Sequence, residues 1–294
     1  MAAPYQAVIL AAGQGSRLHE HTREIPKALL PIGPRSLNDD TTTTFLRRQI
    51  ELLRELGVEQ ILVVVGSLRE LIEQDVARWD APVQLVVNPT PEIATSGSLH
   101  SFQFAVHSEH GVLSGSHQTL LMDADIVYHR DALGLFLDSP ERTSIMISEQ
   151  CTGDNEEVLV YGSLARPRFL GKALTPPLVA GEPCLGEATG IVKFAPADHE
   201  LARQAIDWMV GDPAAAEGSP MRRGYGPAGR ATEHEELTQR FMRYGRIVGV
   251  RFGAELPFME CDDAREYRKV RESFYPKLLE LEASPGAARN GTGG

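Results

Sequence analysis

The spacing of apolar and polar positions changes period several times along the chain, and each change marks an element. Residues 6–11 (QAVILA) form a short apolar, β-branched run that stops at Gly13, and residues 44–56 place Phe45, Ile50, Leu52, Leu53 and Leu56 near helical spacing before Gly57. Residues 60–65 (QILVVV) read as a strand buried on both faces, 68–79 as an amphipathic helix and 83–87 (VQLVV) as another strand. This β-α-β-α-β order predicts an α/β fold: a Rossmann-like, mostly parallel twisted sheet flanked by helices, with ligands bound beyond the carboxyl ends of the strands.

Further on, residues 98–106 read as a helix, 119–122 as a strand ending in Asp123-Ala124-Asp125, and 143–147 as a strand. The pattern then becomes irregular. Strand-like runs at 158–161, 190–194 and 246–252 are separated by loops and by helices at about 198–210 and 233–244, which predicts a mixed second half with antiparallel strands. Glycine, proline and alanine dominate residues 211–232, the composition of a mobile loop or lid. A last helix is expected at 263–274, restarting after Pro276, which suits a first helical turn. With no internal repeat and no second core, residues 1–282 read as one domain with halves at 1–130 and 131–282, and 283–294 as a disordered tail.

Composition narrows the classes. A hydrophobic content of 42% over 294 residues excludes disorder of the whole chain. A net charge of -11, from 29 basic and 40 acidic residues, is the opposite of the footprint that nucleic acid demands, so no nucleic-acid partner is expected. Cys151, Cys184 and Cys261 are odd in number and lack C-x-x-C spacing, which argues against a disulfide framework or a structural zinc site and fits a reducing cytoplasm. The first residues carry no basic stretch ahead of their short apolar run, so neither a signal peptide nor a membrane partner is expected.

The loop after the first strand, Leu10-Ala11-Ala12-Gly13-Gln14-Gly15-Ser16-Arg17, has the small residues that let backbone N–H groups approach an anion closely. It lacks the third glycine of G-x-G-x-x-G and has no G-K-[ST], so both common nucleotide fingerprints fail. Asp123 and Asp125 close a buried strand, where spacing alone fits either a turn cap or a cation site. Glu260-Cys261-Asp262-Asp263 offers distant carboxylates, although Asp262 equally suits the N-cap of the helix near Asp263. The histidine groupings His19-Glu20-His21 and His107-x-x-His110 read as surface or loop residues.

The composite of strand, A-A-G-x-G-[ST]-R-[LM] and, after a short gap, Pro26-Lys27-Ala28-Leu29 resembles the opening of the nucleotidyltransferases, GT-A-like enzymes that activate sugar 1-phosphates and small phosphoesters with a nucleoside triphosphate. The resemblance implies that Gly13, Gly15 and Ser16 wrap the triphosphate with Leu10, Ala11, Ala12 and Gln14, that Arg17 holds its phosphate oxygens, and that Lys27 presents an ammonium near the α-phosphate. It further implies Asp123 as a nucleotide contact and Mg²⁺ on Asp125. The E-x-D-x-x-x-[DE]-Y-R-K portion starting at Glu260 is similar to that of bacterial choline-phosphate cytidylyltransferases, which implies Asp262 as the second metal ligand. Val87-Asn88 and Ser98-Leu99, Leu159 to Gly162 and Gly190 to Phe194 resemble the same branch, so that the likeness runs over about residues 5–275 and puts Asn88 and Ser98 against base and ribose.

One departure bears on the acceptor. Before Leu159-Val160-Tyr161-Gly162 the choline-phosphate enzymes have a tryptophan suited to a quaternary ammonium, whereas this chain reads Asn155-Glu156-Glu157-Val158. Tyr161 is left to supply one aromatic face. The leading expectation is a CTP-dependent cytidylyltransferase acting on a small phosphonate, such as phosphonoformate or 2-aminoethylphosphonate, with Lys172, beside Arg166 and Arg168, meeting the acceptor. Choline-phosphate cytidylyltransfer, sugar 1-phosphate uridylyl- or thymidylyltransfer and an inactive nucleotide sensor are the competing expectations. A homodimer is left open.

Overall fold

A computed structural model of the chain describes residues 3–79, 82–89, 93–151, 157–211 and 233–284. The expected tail from residue 285, the 152–156 segment and the expected lid from residue 212 lie outside the described residues. Strand β1 (Tyr5–Ala11) leads through two 3-10 turns (Ser16–Thr22 and Lys27–Leu29) into β2 (Pro31–Ser36) and β3 (Asp39–Thr44). Helix α1 (Phe45–Glu55), β4 (Gln60–Val65), α2 (Arg69–Val76), β5 (Gln84–Val87), α3 (Ile93–Val106), β6 (Gln118–Asp123), β7 (Ile126–Tyr128), α4 (Arg130–Asp138) and β8 (Ser144–Ser148) follow. The remainder is β9 (Leu159–Ser163), β10 (Arg166–Gly171), β11 (Cys184–Phe194), α5 (His199–Gly211), α6 (His234–Arg243), β12 (Val248–Phe252), β13 (Phe258–Glu260), α7 (Ala264–Lys269) and α8 (Tyr275–Ala283), with a π-helical turn (Val270–Phe274) before α8.

The main sheet runs β10-β9-β11-β6-β1-β4-β5, with β8 also pairing with β11 and β12 on the other side of β8. β1 is parallel to β4 and β6, and β4 to β5, as the alternation of elements predicts. β11 is antiparallel to β6, β8 and β9, so this one strand stitches the parallel half to the irregular half. Alternate residues of β1 feed opposite cores: Val8 packs with Phe102, Phe194 and Phe241 under α3, α5 and α6, while Ala7 and Ile9 pack with Leu46, Ile50 and Phe136 under α1 and α4. Both faces of the strand are therefore apolar, which is why residues 6–11 read as one continuous run.

Helix α1 starts where Thr44 Oγ1 accepts the Arg47 N–H at 3.2 Å, and Leu46, Ile50 and Leu53 form its buried stripe. A third core joins the β2–β3 hairpin to the C-terminal helices through Leu18, Phe45, Val127 and Tyr275. There the Tyr267 and Tyr275 hydroxyls donate to the Pro31 and Pro34 carbonyls at 2.9 and 3.0 Å, and Arg48 pairs with Glu282 at 2.7 Å in a nearly dry setting. Buried Lys193 on β11 donates to Ser139 Oγ at 2.6 Å and to carbonyls at the end of α4, satisfying acceptors that the helix leaves open. Among the described residues, no helix is long and apolar enough to cross a membrane.

Candidate active site

The chain leaving β1 turns at Gly15, whose φ of +61° lies in the left-handed region. A Cβ there would stand 3.0 Å from Thr22 Cγ2 and 3.2 Å from Lys27 Cβ, so glycine lets the following turn and the Pro26-Lys27 segment fold close over the loop. Thr22 Oγ1 donates to the Gly15 carbonyl at 2.8 Å and fixes the turn. Beyond the carboxyl ends of β1 and β6 this leaves a cavity of about 360 Å³, walled by Ala12, Gly13 and Ser16 on one side and by Asp123, Asp125 and Glu260 on the other.

Asp262 reaches this cavity from far along the chain because β13 pairs antiparallel with β7, placing Glu260 opposite Ile126, and because the Cys261 N–H donates to the Asp125 carbonyl at 3.1 Å. The helix beyond is capped by its neighbour: Asp263 accepts the Glu266 N–H at 2.8 Å while the Glu266 carboxylate accepts the Asp263 N–H at 3.2 Å, a reciprocal capping box. Asp262 is thus free of the capping duty that its position in sequence allowed. Its Oδ1 lies 2.8 Å from the Arg17 guanidinium and 3.3 Å from Lys27 Nζ, and Lys27 Nζ also contacts Asp125 Oδ2.

The electrostatics of this group are unbalanced toward negative charge. Burial opposes the charge of Lys27, yet Asp125 and Asp262 outweigh it and hold the ammonium above its ordinary pKa. Burial pushes the Asp125 carboxyl up, with Asp123 and Asp262 adding repulsion, and burial likewise drives Glu260 well above the usual carboxylate range. For Asp262, burial is overcome by Lys27, Arg17 and Lys172, which hold it low. Oxygens of Asp125, Glu260 and Asp262 lie within 4.8 Å of one another. An all-oxygen set of converging carboxylates fits a hard divalent cation such as Mg²⁺.

The opposite wall comes from the start of α6. His234 Nε2 lies 2.9 and 3.1 Å from the two oxygens of Asp123; burial works against its charge, but Asp123 and Glu235 raise its pKa to about 10 and keep it an imidazolium. The His234 N–H donates to Ser98 Oγ at 2.8 Å and the Ser98 N–H donates to the Glu233 carboxylate at 2.9 Å, a reciprocal clasp between α3 and α6. Gly190 of β11 faces Asp123 from below with φ +72°, and a Cβ there would collide with the aspartate carboxylate. Gly190→Ala is therefore expected to lower the unfolding free energy by about 1–3 kcal/mol, read from urea denaturation, and to dislodge Asp123; an unshifted midpoint would show that the strand absorbs the methyl group.

Of the residues singled out from sequence, Leu10, Ala11, Ala12, Gly13, Gly15, Ser16, Arg17, Lys27, Ser98, Asp123, Asp125, Lys172 and Asp262 all line the one cavity. Gln14 is exposed outside its lining. Asn88 is buried behind the wall, where its side-chain amide donates to Ser101 Oγ at 3.1 Å and to Ser96 Oγ at 3.4 Å; those two serines line the cavity in its place. Tyr161 pairs in register with Cys184 on β11 and does not line the cavity. Arg168 pairs with Glu182 at 2.6 Å, so of the basic segment Lys172 alone is part of the wall. Sequence reasoning gave no role to Glu233, His234 and Glu235; their one signal is a histidine set among acids at the start of an expected helix.

A family model described as the MobA-like NTP transferase domain matches residues 7–183. The chain is 30% identical over 149 residues, half of its length, to a CMP-5'-(3-aminopropyl)phosphonate synthase of Streptomyces rubellomurinus, but the match spans only 21% of that protein. It is 32% identical over 159 residues, 53% of its length, to a choline-phosphate cytidylyltransferase of Streptococcus pneumoniae, 59% of which is spanned. The chain thus covers less than two thirds of either relative. A solved inositol-1-phosphate CTP transferase from T. maritima shares the fold with a TM-score of 0.65 at 17% identity, over 97% of this chain and 99% of that one.

Proposed function

Because the chain belongs to the family of MobA-like NTP transferase domains, we propose that it is a CTP-dependent cytidylyltransferase that transfers CMP to a small phosphonate and releases pyrophosphate. The observation that carries this reading is the meeting of Arg17 and Lys27, from the loop after β1, with Asp125 and Asp262, from strand ends 137 residues apart in sequence (262 minus 125), in one cavity. A pure binder has little use for a buried ammonium among distant carboxylates.

An oxygen of the acceptor attacks the α-phosphorus of CTP; the bond from that phosphorus to the bridging oxygen of the β-phosphate breaks, and pyrophosphate leaves with the electron pair. No side-chain nucleophile is needed, so the work of the protein is alignment and charge neutralisation. Lys27 meets the α-phosphate with an ammonium that burial and its carboxylate partners keep charged, and Arg17, half exposed at the mouth, takes the outer phosphates. Ala12, Gly13, Gly15 and Ser16, which line the same wall, bring backbone that an anion can approach closely. Asp125 and Asp262, with Glu260 at hand, would hold Mg²⁺, which when bound supplies further positive charge to the triphosphate.

The acceptor end of the cavity favours a small, polar molecule. Among the described lining residues there is no tryptophan, tyrosine or phenylalanine to face a quaternary ammonium. A narrow apolar recess instead runs between Ile145, Val158, Leu170 and Ala188 to Glu235, whose Oε2 is buried without a hydrogen-bond donor among the described residues. The recess measures only about 20 Å³, and the Glu235 carboxylate lies 3.7 Å from His234 Nδ1, so it takes no more than a water-sized group of the acceptor. Lys172 stands at the wall where the acceptor anion would enter. Lys172→Ala is expected to raise the acceptor KM roughly tenfold with kcat unchanged, the signature of lost uniform binding; unaltered kinetics would remove Lys172 from the acceptor site.

The reading is tested by pyrophosphate release with Mg²⁺ across CTP, UTP, dTTP, ATP and GTP, each against phosphonoformate, 2-aminoethylphosphonate, choline phosphate and glucose 1-phosphate. Turnover confined to CTP with a phosphonate is the expected result. Turnover with UTP or dTTP and the sugar phosphate would overturn it, as would CTP binding with no turnover of any acceptor.

A further inference from the structure

Two of the three cysteines lie close together although neither belongs to the machinery above. β8 and β11 pair antiparallel, with Glu187 opposite Ser148 and Ala188 opposite Ile147. Cys151 stands three residues beyond Ser148, where β8 ends, and Cys184 three residues before Glu187, across an irregularity of β11 between Cys184 and Gly186, so both thiols lie at the same end of the paired strands. Their sulfurs are in hydrogen-bonding contact, both side chains are exposed, and Tyr161 of β9 lies alongside them. Cys261, by contrast, is buried beside the carboxylate cluster.

We infer that Cys151 and Cys184 form a dithiol modification site that is closed to an intramolecular disulfide by a low-molecular-weight disulfide of the glutathione class. One protein thiolate attacks a sulfur of the oxidised reagent, forming a mixed disulfide and expelling one reagent thiolate. The second protein thiolate then attacks the protein sulfur of that mixed disulfide, forming the Cys151–Cys184 bond and expelling the second reagent thiolate. The two protons given up by the protein thiols end on the two reagent thiolates, so one reagent disulfide is reduced as two protein thiols are oxidised.

The surroundings set how the site behaves. Burial, Cys184 and the nearby carboxylates of Glu157 and Glu187 push the Cys151 thiol above its ordinary pKa, which lowers its thiolate fraction and slows its attack at neutral pH. Glu187, three residues after Cys184, has its carboxyl raised to about 8 by burial and by the charges of Glu157, Glu266 and Asp262, against the pull of Lys172.

The test equilibrates the full chain in mixtures of glutathione and glutathione disulfide, quenches with a thiol-alkylating reagent, and maps the peptides by mass. The expected result is joint loss of two thiols in one transition, a linked peptide pair containing Cys151 and Cys184 with the loss of two hydrogens, and Cys261 still alkylated. Cys184→Ser should trap the glutathione adduct on Cys151, because the resolving thiol is gone. Independent glutathione adducts on both cysteines of the unaltered chain, a disulfide between two chains, or two free thiols at the most oxidising ratio would each overturn the assignment.

Discussion

Lys27→Ala is expected to lower kcat by about 10²–10³ with CTP, Mg²⁺ and acceptor all saturating. The size follows from the setting. Lys27 is buried, so its ammonium acts on a developing phosphate charge with little solvent screening, and its charge is held by Asp125 and Asp262 rather than by water. Removing it also leaves Asp125, Glu260 and Asp262 facing one another with, among the described residues, Arg17 and Lys172 to offset the charge of Asp262, which loosens the very carboxylates that the cation needs. The measurement is steady-state turnover at saturation beside a far-UV spectrum, so that a collapsed fold is not mistaken for lost chemistry. A loss below tenfold in a folded variant would contradict the role given to this lysine.

The second large effect is expected at Asp262. Asp262→Asn keeps the shape of the side chain but removes its charge, and turnover should fall at least a hundredfold, roughly 2.7 kcal/mol in the barrier, while the denaturation midpoint stays near that of the parent. That separation is possible because the helix end is held by its neighbour: Asp263 and Glu266 form the capping box whatever stands at 262. The matched control is Asp263→Ala, which should do the reverse, costing about 1 kcal/mol of stability with turnover largely retained. Full activity of Asp262→Asn would strip Asp262 of its metal role. A large loss of stability in that variant would show that the carboxylate serves the fold instead.

What could be read from the chain divides along a physical line. The β1 run, the α1 stripe and the β4 run were visible because each buries a periodic apolar face, and the loop from Ala12 to Arg17 because small residues after a buried strand have few other uses. The β2–β3 hairpin carries no periodic signal: β3 is Asp-Asp followed by four threonines, β-branched but with no apolar alternation, and its order comes from pairing and from Tyr267 and Tyr275 gripping β2. The three-residue strands β7 and β13 are too short to carry any period, yet their pairing is what brings Asp262 beside Asp125. Asn88 and Tyr161 were placed near the ligand by analogy of sequence, and burial behind Ser96 and Ser101 in one case, and a seat beside Cys184 in the other, removes both from the cavity wall. His234 escaped notice because its partner, Asp123, lies 111 residues away. The short-range half of the site was therefore legible in the residues themselves, whereas of the half assembled by strand pairing Asp262 was reached through the resemblance alone and His234 not at all.

The position of β11 also governs when the fold can close. Residues 184–194 lie just past the end of the stretch that the family model matches, yet they fill the gap between β6, β8 and β9. A chain released at residue 183 would leave the central β6 with a bare edge and would strand β8 and β9 without the partner that joins them, the kind of exposed ladder that recruits other molecules. As the chain emerges during synthesis, the parallel half can gather around β1, but its sheet stays open until β11 inserts, so aggregation competes with folding over that interval.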